Sequence, residues 1–139
     1  MTVPDQSTSV WMESTPPTPF PRLDGNRTCD VAIVGGGITG LTAALLLARS
    51  GKQVVVVDSG QIGYGVSGHT TAHLTTMVDA HYQSLIKDFG AEQARLVAES
   101  SRAAIEQIAA LVAEESIDCD FARVTGYLYS ESAADEALL

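Results

Sequence analysis

The chain has 139 residues, 45% of them hydrophobic, and its 17 acidic and 8 basic side chains give a formal net charge of -9. This length corresponds to about one domain of roughly 100 to 200 residues. An excess of negative charge repels phosphate backbones, so binding to nucleic acids or anionic membranes is not expected. The N-terminus lacks a signal sequence, and the longest apolar stretch is far below the ~20 residues of a membrane span. The sequence therefore predicts a cytoplasmic protein with no membrane span.

Residues 1–29 form a proline-rich N-terminal arm that contains all 5 prolines of the chain. Proline fixes φ and lacks a backbone donor, so we expect this arm to run extended over the protein surface. Trp11, Phe20 and Leu23 are the side chains predicted to dock it.

Residues 30–78 are predicted to form a βαβ unit followed by a loop. The segment "DVAIV" is typical of a short buried parallel strand, and "ITGLTAALLLARSG" has apolar residues at helical spacing and ends at Gly51. The segment "QVVVVD" predicts a second buried strand that ends on a carboxylate. This order of elements indicates an α/β fold of the Rossmann type.

The glycines after the first strand follow the pattern Gly35-x-Gly37-x-x-Gly40. In this pattern the first glycine permits the tight turn, the second lets a pyrophosphate approach the backbone, and the third lets helix and strand pack closely. The N–H groups of Ile38 and Thr39 at the helix start favour a negative charge. Asp58 follows Gly40 by eighteen positions (58 − 40), near the roughly 20 at which an acid reaches ribose hydroxyls. Together these features predict dinucleotide binding.

A nicotinamide-binding domain would require a third parallel strand soon after Asp58, and the residues there do not predict one. They form a glycine-rich loop, "SGQIGYGVSGHTTAHLT", whose hydroxyl and imidazole groups suit a polar ligand. We expect this loop to extend along the ligand beyond the pyrophosphate. No metal site is predicted, because the two cysteines are ninety positions apart (119 − 29) and no carboxylate follows His69 as in a zinc HExxH motif. His69 and His73 are four positions apart, but their glycine-rich surroundings do not favour a helix.

The whole stretch from "DVAIVGGG" to "GHTTAHLT" resembles the opening of the flavin-dependent amine and D-amino-acid oxidase superfamily, whose members fold like glycine oxidase. Together with the "SVW" and "PFPRL" arm, it is similar to bacterial FAD-dependent oxidoreductases that often have a Rieske iron-sulfur domain at the C-terminus. The resemblance implies FAD as cofactor, with a 2Fe-2S cluster only in a C-terminal domain beyond these residues. It also implies oxidation of the C–N bond of a small amine or amino acid by hydride transfer to the flavin, which oxygen or one-electron transfer would then reoxidise.

The resemblance also implies roles for individual residues. The pyrophosphate would be held by Gly35, Gly37, Ile38, Thr39 and Gly40, and the adenosine ribose by Asp58 with Ser59. The flavin side of the site would be lined by Gly65, Ser67, Gly68, His69, Thr70 and Thr71. Many relatives have Arg-Asn at the positions of His69 and Thr70, and one branch of the superfamily bonds a loop histidine covalently to the flavin. Both covalent attachment and hydrogen bonding of His69 therefore stay open, and no catalytic acid or base is identified.

Residues 79–116 are predicted to form a helical segment, and residues 117–139 the start of a substrate-domain sheet that ends in a cut helix. We expect the chain to be the N-terminal part of a longer enzyme and to be inactive alone. Two alternatives are an NAD-type nucleotide-binding module of another enzyme class and a non-enzymatic truncated fragment.

Overall fold

A computed structural model describes residues 8–127 and residue 129. The chain divides into two compact units, Met1–Ala72 and His73–Leu139. The elements of the first unit are α1 (Val10–Ser14), β1 (Val31–Val34), α2 (Ile38–Arg49), β2 (Val54–Val57) and a 3-10 turn at Ser67–His69. Those of the second are α3 (Tyr82–Phe89) and α4 (Ala91–Glu114). The mixed α/β class and the small parallel sheet expected from the sequence are confirmed.

The first unit is built on the predicted βαβ arrangement. β1 and β2 pair in parallel with Val31 opposite Val54 and Val34 opposite Val57, and α2 packs on both strands. Asp30 joins the amino ends of the strands, because its Oδ2 accepts a hydrogen bond from the N–H of Gln53 at 2.8 Å. The sheet thus holds the carboxyl ends of both strands side by side.

Helix α2 ends as the sequence predicts. Gly51 has a φ of +85°, its N–H donates to the carbonyl of Ala48 at 2.9 Å, and the N–H of Lys52 donates to the carbonyl of Leu47 at 3.1 Å. These two bonds form a Schellman motif, which satisfies carbonyls that the helix end leaves without an intrahelical partner.

Helix α2 begins where the backbone of Gly40 approaches the turn after β1. A Cβ at Gly40 would lie less than 3.0 Å from the carbonyl oxygen of Gly35, a separation that real Cβ atoms essentially never show. It would also lie 3.3 Å from the Cγ2 of Ile33. The close approach predicted for the third glycine of the motif is therefore present.

The N-terminal arm differs from the expectation of an extended strap. Residues Val10–Ser14 form a helix, because the hydroxyl of Ser9 caps it by accepting a hydrogen bond from the N–H of Met12 at 3.3 Å. The prolines of the described arm begin only at Pro16, beyond this helix. The docking predicted for Phe20 and Leu23 is wrong, since both side chains are 63% exposed.

The second unit contains the predicted helical segment. Gly90, with a φ of +88°, ends α3 and begins α4, because its N–H donates to the carbonyl of Ile86 and its own carbonyl accepts from the N–H of Ala94. The two helices pack against each other, and Ala94 is the one buried hydrophobic side chain among the described residues. The described residues therefore bury little apolar surface.

Residues 117–127, which were predicted to begin a sheet, contain no strand. Arg123 in this segment forms a bidentate ion pair with Glu106 of α4, with N···O distances of 2.9 and 2.7 Å. The helix predicted near the C-terminus lies outside the described residues. No helix in residues 8–127 is long and apolar enough to cross a membrane.

We predict that Gly40→Ala destabilises the first unit. Alanine in place of a helical glycine normally gains up to about 1 kcal/mol, but forcing a methyl group against backbone typically costs about 1 to 3 kcal/mol. Because the atom in the way is a carbonyl oxygen rather than a flexible side chain, we expect the cost to exceed the gain. Urea unfolding measures the difference.

Gly60→Ala is the matched control, because a Cβ there would meet only the Oδ1 of Asp58 at an ordinary 3.7 Å. Equal unfolding midpoints for the two variants would contradict the close approach at Gly40.

Candidate functional site

The carboxyl end of β1 and the start of α2 enclose an open cavity of about 410 Å³. Gly35 continues the sheet through its N–H, which donates to the carbonyl of Val57 at 2.8 Å, and then turns the chain with a φ of +108°. A residue with a side chain would be strained at that angle. The residues around the cavity share a lack of charge: they are Ile33, Val34, Gly35, Gly37, Ile38, Thr39, Gly40, Ala43 and Ser67.

Ser67 closes one side of this cavity by contacting the first turn of α2. Its Oγ accepts a hydrogen bond from the N–H of Ile38 at 3.0 Å. Gly37, the N-cap residue, has no side chain to make that bond. A Cβ at Gly37 would lie 3.0 Å from the same Oγ, so a side chain there would fill the space between the helix and Ser67. The absence of a Cβ keeps this space open for a ligand.

Asp58, at the end of β2, bonds to the glycine turn of β1. Its Oδ2 accepts from the N–H of Gly36 at 2.7 Å, and its Oδ1 accepts from the N–H of Gly60 at 2.8 Å. These two hydrogen bonds hold the pKa of the Asp58 carboxyl below its ordinary value of 3.8, and the bond from Gly36 has the larger effect. The carboxylate is therefore the form that the fold favours.

Gly36 and Ile62 are part of the site although sequence reasoning missed both. Gly36 is buried, and a Cβ there would collide with the side chain of Ile62. The carbonyl of Gly36 also accepts from the N–H of Gly63 at 2.8 Å. The signals were present in the middle glycine of the "GGG" run and in the one large aliphatic residue between Ser59 and Gly65.

The remaining predicted site residues lie outside the lining of the cavity. His69 is exposed, and its Nδ1 lies 2.7 Å from the carbonyl oxygen of Gly65. Since a carbonyl only accepts, Nδ1 is the protonated ring nitrogen in this contact. Gly68 is buried against the side chain of Met12. Ser59, Thr70 and Thr71 are exposed.

The arrangement suits an anionic diphosphate better than it suits acid–base chemistry. The first N–H groups of a helix have no intrahelical acceptor and carry the positive end of the helix dipole, which favours a bound anion. The lining has backbone N–H groups and hydroxyls but no carboxylate, amine or imidazole. The lining of the cavity therefore contains no catalytic acid or base.

For Asp58 we predict a titration below 3.8 in the folded protein, followed by carbon NMR of its carboxyl group. A folded-state pKa below the unfolded one means that Asp58 contributes stability above about pH 3.8, which is lost as the pH falls through the folded value. The urea-unfolded chain supplies the reference titration. A folded pKa equal to or above that reference would refute the two backbone hydrogen bonds.

Comparison with known proteins identifies the family. Residues 30–139 match the family described as FAD dependent oxidoreductase, which includes the D-amino-acid-oxidase type implied by the resemblance. The match begins at β1 and includes the glycine turn, Asp58 and the loop after it. No solved structure matches.

Several curated proteins are similar over most of the chain. One, named as a Rieske 2Fe-2S iron-sulfur protein YhfW from Bacillus subtilis (strain 168), is 41% identical over 88% of this chain and 24% of its own length. Gamma-glutamylputrescine oxidoreductase of Escherichia coli (strain K12) is 37% identical over 74% of this chain and 24% of its own. A protein named as oxidoreductase OrdL from Rhizobium meliloti (strain 1021) is 36% identical over 80% of this chain and 26% of its own.

The chain thus spans about a quarter of the length of these relatives. The family match covers the two strands, the helix between them and the cavity at their carboxyl ends, which are the parts that the sequence motif predicts for a dinucleotide site. The chain therefore belongs to the family of FAD-dependent oxidoreductases.

Proposed function

We propose that this protein contributes the FAD-binding part of an enzyme that oxidises the C–N bond of a small amine or amino acid by hydride transfer to FAD. The principal support is the cavity at the start of α2, where Gly37 lacks a Cβ beside Ser67, in a chain of the FAD-dependent family. The amine substrate class is supported by the name of the gamma-glutamylputrescine relative. The family match gives no support to the alternative of an NAD-type module.

In this proposal the pyrophosphate lies at the first turn of α2. The N–H of Ile38 already donates to the Oγ of Ser67, so the anion is proposed to bind the N–H groups of Thr39 and Gly40. The turn at Gly35 and Gly37 lets it approach the backbone. Because the lining has no charged side chain, the attraction comes from backbone dipoles. These act at short range and can hold an anion although the chain as a whole has a net charge of -9.

Asp58, with Ser59 beside it, is proposed to hold the adenosine ribose. Each carboxylate oxygen of Asp58 accepts one backbone hydrogen bond and retains a second lone pair for a ribose hydroxyl. The same negative charge would repel a 2′-phosphate. Asp58 would thus orient the nucleotide while its carboxylate keeps the glycine turn in place.

The loop residues Gly65 and Ser67–Thr71 are proposed to lie along the flavin. The Nδ1 of His69 is occupied by the carbonyl of Gly65, so Nε2 is the nitrogen that a neutral ring offers to the flavin. A hydrogen bond to the flavin and a covalent bond to it would both use Nε2. Of the two, the proposal takes the hydrogen bond, because it needs no chemistry beyond the imidazole itself.

The electron acceptor and the location of the protein belong to the same proposal. The name of the Bacillus relative supports a Rieske 2Fe-2S cluster in a C-terminal domain, which would accept electrons one at a time. We also propose a cytoplasmic location for the enzyme.

The first test is FAD binding by the protein and by its Gly37→Val variant. We expect valine to fill the space beside Ser67 and so keep the pyrophosphate away from the N–H groups at the start of α2. The loss of one such hydrogen bond to a charged group would weaken FAD binding at least about tenfold. Flavin absorbance and fluorescence during a titration with FAD measure it. Gly126→Val is the control, because a Cβ at Gly126 would meet nothing within 4 Å. Equal FAD affinity in wild type and Gly37→Val would refute the proposed binding mode.

The second test concerns His69. After acid precipitation of the FAD-loaded protein, we expect the flavin colour in the supernatant, as for a cofactor held by hydrogen bonds. His69→Ala should then bind FAD more weakly without changing this partition. A coloured pellet that disappears in His69→Ala would instead establish a histidyl flavin and overturn the non-covalent proposal.

A further inference from the structure

Helix α1 contacts the loop on both sides of His69. The hydroxyl of Ser9 donates to the carbonyl of Gly68, and the indole Nε1 of Trp11 donates to the carbonyl of Thr70 at 2.8 Å. Both bonds join residues that are 59 positions apart in the chain. The residues before and after His69 are therefore each held by α1.

Met12 adds a third contact between α1 and this loop. A Cβ at Gly68 would lie 3.0 Å from the Sδ of Met12 and 3.1 Å from its Cγ. Gly68 is thus buried under the Met12 side chain, which would have to shift for a larger residue at position 68.

The orientation of α1 is set by these polar contacts rather than by burial of its most apolar residue. Val10 is 63% exposed, whereas the polar Ser9 is half-buried against the loop. Hydrophobic burial alone would turn Val10 inward. The helix therefore faces the loop with the groups that fix loop carbonyls.

His69 itself is fixed at two more atoms within the loop. Its N–H donates to the carbonyl of Val66 at 3.1 Å, and its Nδ1 contacts the carbonyl of Gly65 at 2.7 Å. With the carbonyls of Gly68 and Thr70 held by α1, little freedom remains for the ring to move. Fixed neighbours of this kind keep a functional side chain in one geometry.

We propose that α1 is a clasp, made by Ser9, Trp11 and Met12, that positions His69 for the flavin. The proposal rests on the proposed function of the loop, in which the Nε2 of His69 faces the flavin. Ser9 and Trp11 are positioning residues, because they touch the loop and not the ligand.

The experiment compares Trp11→Phe and Ser9→Ala with the wild-type 139-residue protein. Phenylalanine keeps an aromatic ring but loses the N–H donor, and alanine loses the hydroxyl. Amide hydrogen exchange, measured by NMR without FAD, reports whether the clasp holds the loop. We expect the amide of His69 to exchange about fivefold faster in each variant, which corresponds to the loss of one hydrogen bond. FAD affinity should fall by a similar factor.

Two further variants keep the test specific. Ser14→Ala removes a hydroxyl from α1 that bonds only within the helix, to the carbonyl of Trp11, and should leave His69 exchange unchanged. Ser9→Thr restores a hydroxyl and should restore slow exchange. Trp11 is the single tryptophan of the chain, so the tryptophan fluorescence should also change when FAD binds to the loop.

The outcomes are distinguishable. Unchanged exchange at His69 in Trp11→Phe and Ser9→Ala overturns the clasp. Faster exchange with unchanged FAD affinity, in a wild type that binds FAD, overturns its role at the flavin. A wild type that binds no FAD overturns the proposed function instead, and exchange at His69 still decides whether α1 positions that residue.

Discussion

The site depends on the contact between two backbone segments, the turn after β1 and the first turn of α2. Gly40 lies so close to the carbonyl of Gly35 that no Cβ fits between them. This contact fixes where α2 starts relative to the end of β1 and so determines where its first N–H groups point. The cavity lies at that start, with Ser67 bonded to the first turn of α2 at its edge.

The packing of the first unit is tightest at the site and not in an apolar core. Its buried residues among those described are Gly36 and Gly68, one in the glycine turn and one in the loop after β2. Each lies against a neighbouring side chain, Ile62 in the first case and Met12 in the second. The first contact joins the loop after β2 to the glycine turn, and the second joins the N-terminal arm to that loop. In both contacts the missing Cβ of a glycine leaves the space that the neighbouring side chain occupies.

Sequence reasoning succeeded where the cause of the structure is local. The strand ends and the C-terminal cap at Gly51 depend on residues within a few positions of each other, and both are present. The contacts of Ser67 with Ile38 and of Trp11 with Thr70 span 29 and 59 positions. Periodicity and local propensity contain no information about such distances. The glycine motif predicted the cavity, but not which side chain would close it.

The strand expected after residue 117 shows where intrinsic strand propensity fails to predict the structure. Aromatic and β-branched residues favour strands mainly because they pack well on a neighbouring strand, so their preference depends on a partner being present. In residues 117–127 the chain instead makes positive-φ turns at Asp120 and pairs Arg123 with Glu106.

The same dependence on partners applies to β1. Among the described strands β1 pairs only with β2, and Val34 at its carboxyl end is 87% exposed. Val34 and Ile38, which is 64% exposed, both line the cavity. Ligand sites usually cover most of their ligand, whereas this cavity is bordered on one side by exposed apolar residues. In the proposed binding mode the described residues thus provide the dipoles that attract a diphosphate, while the affinity for the whole dinucleotide would depend on how that apolar border is covered.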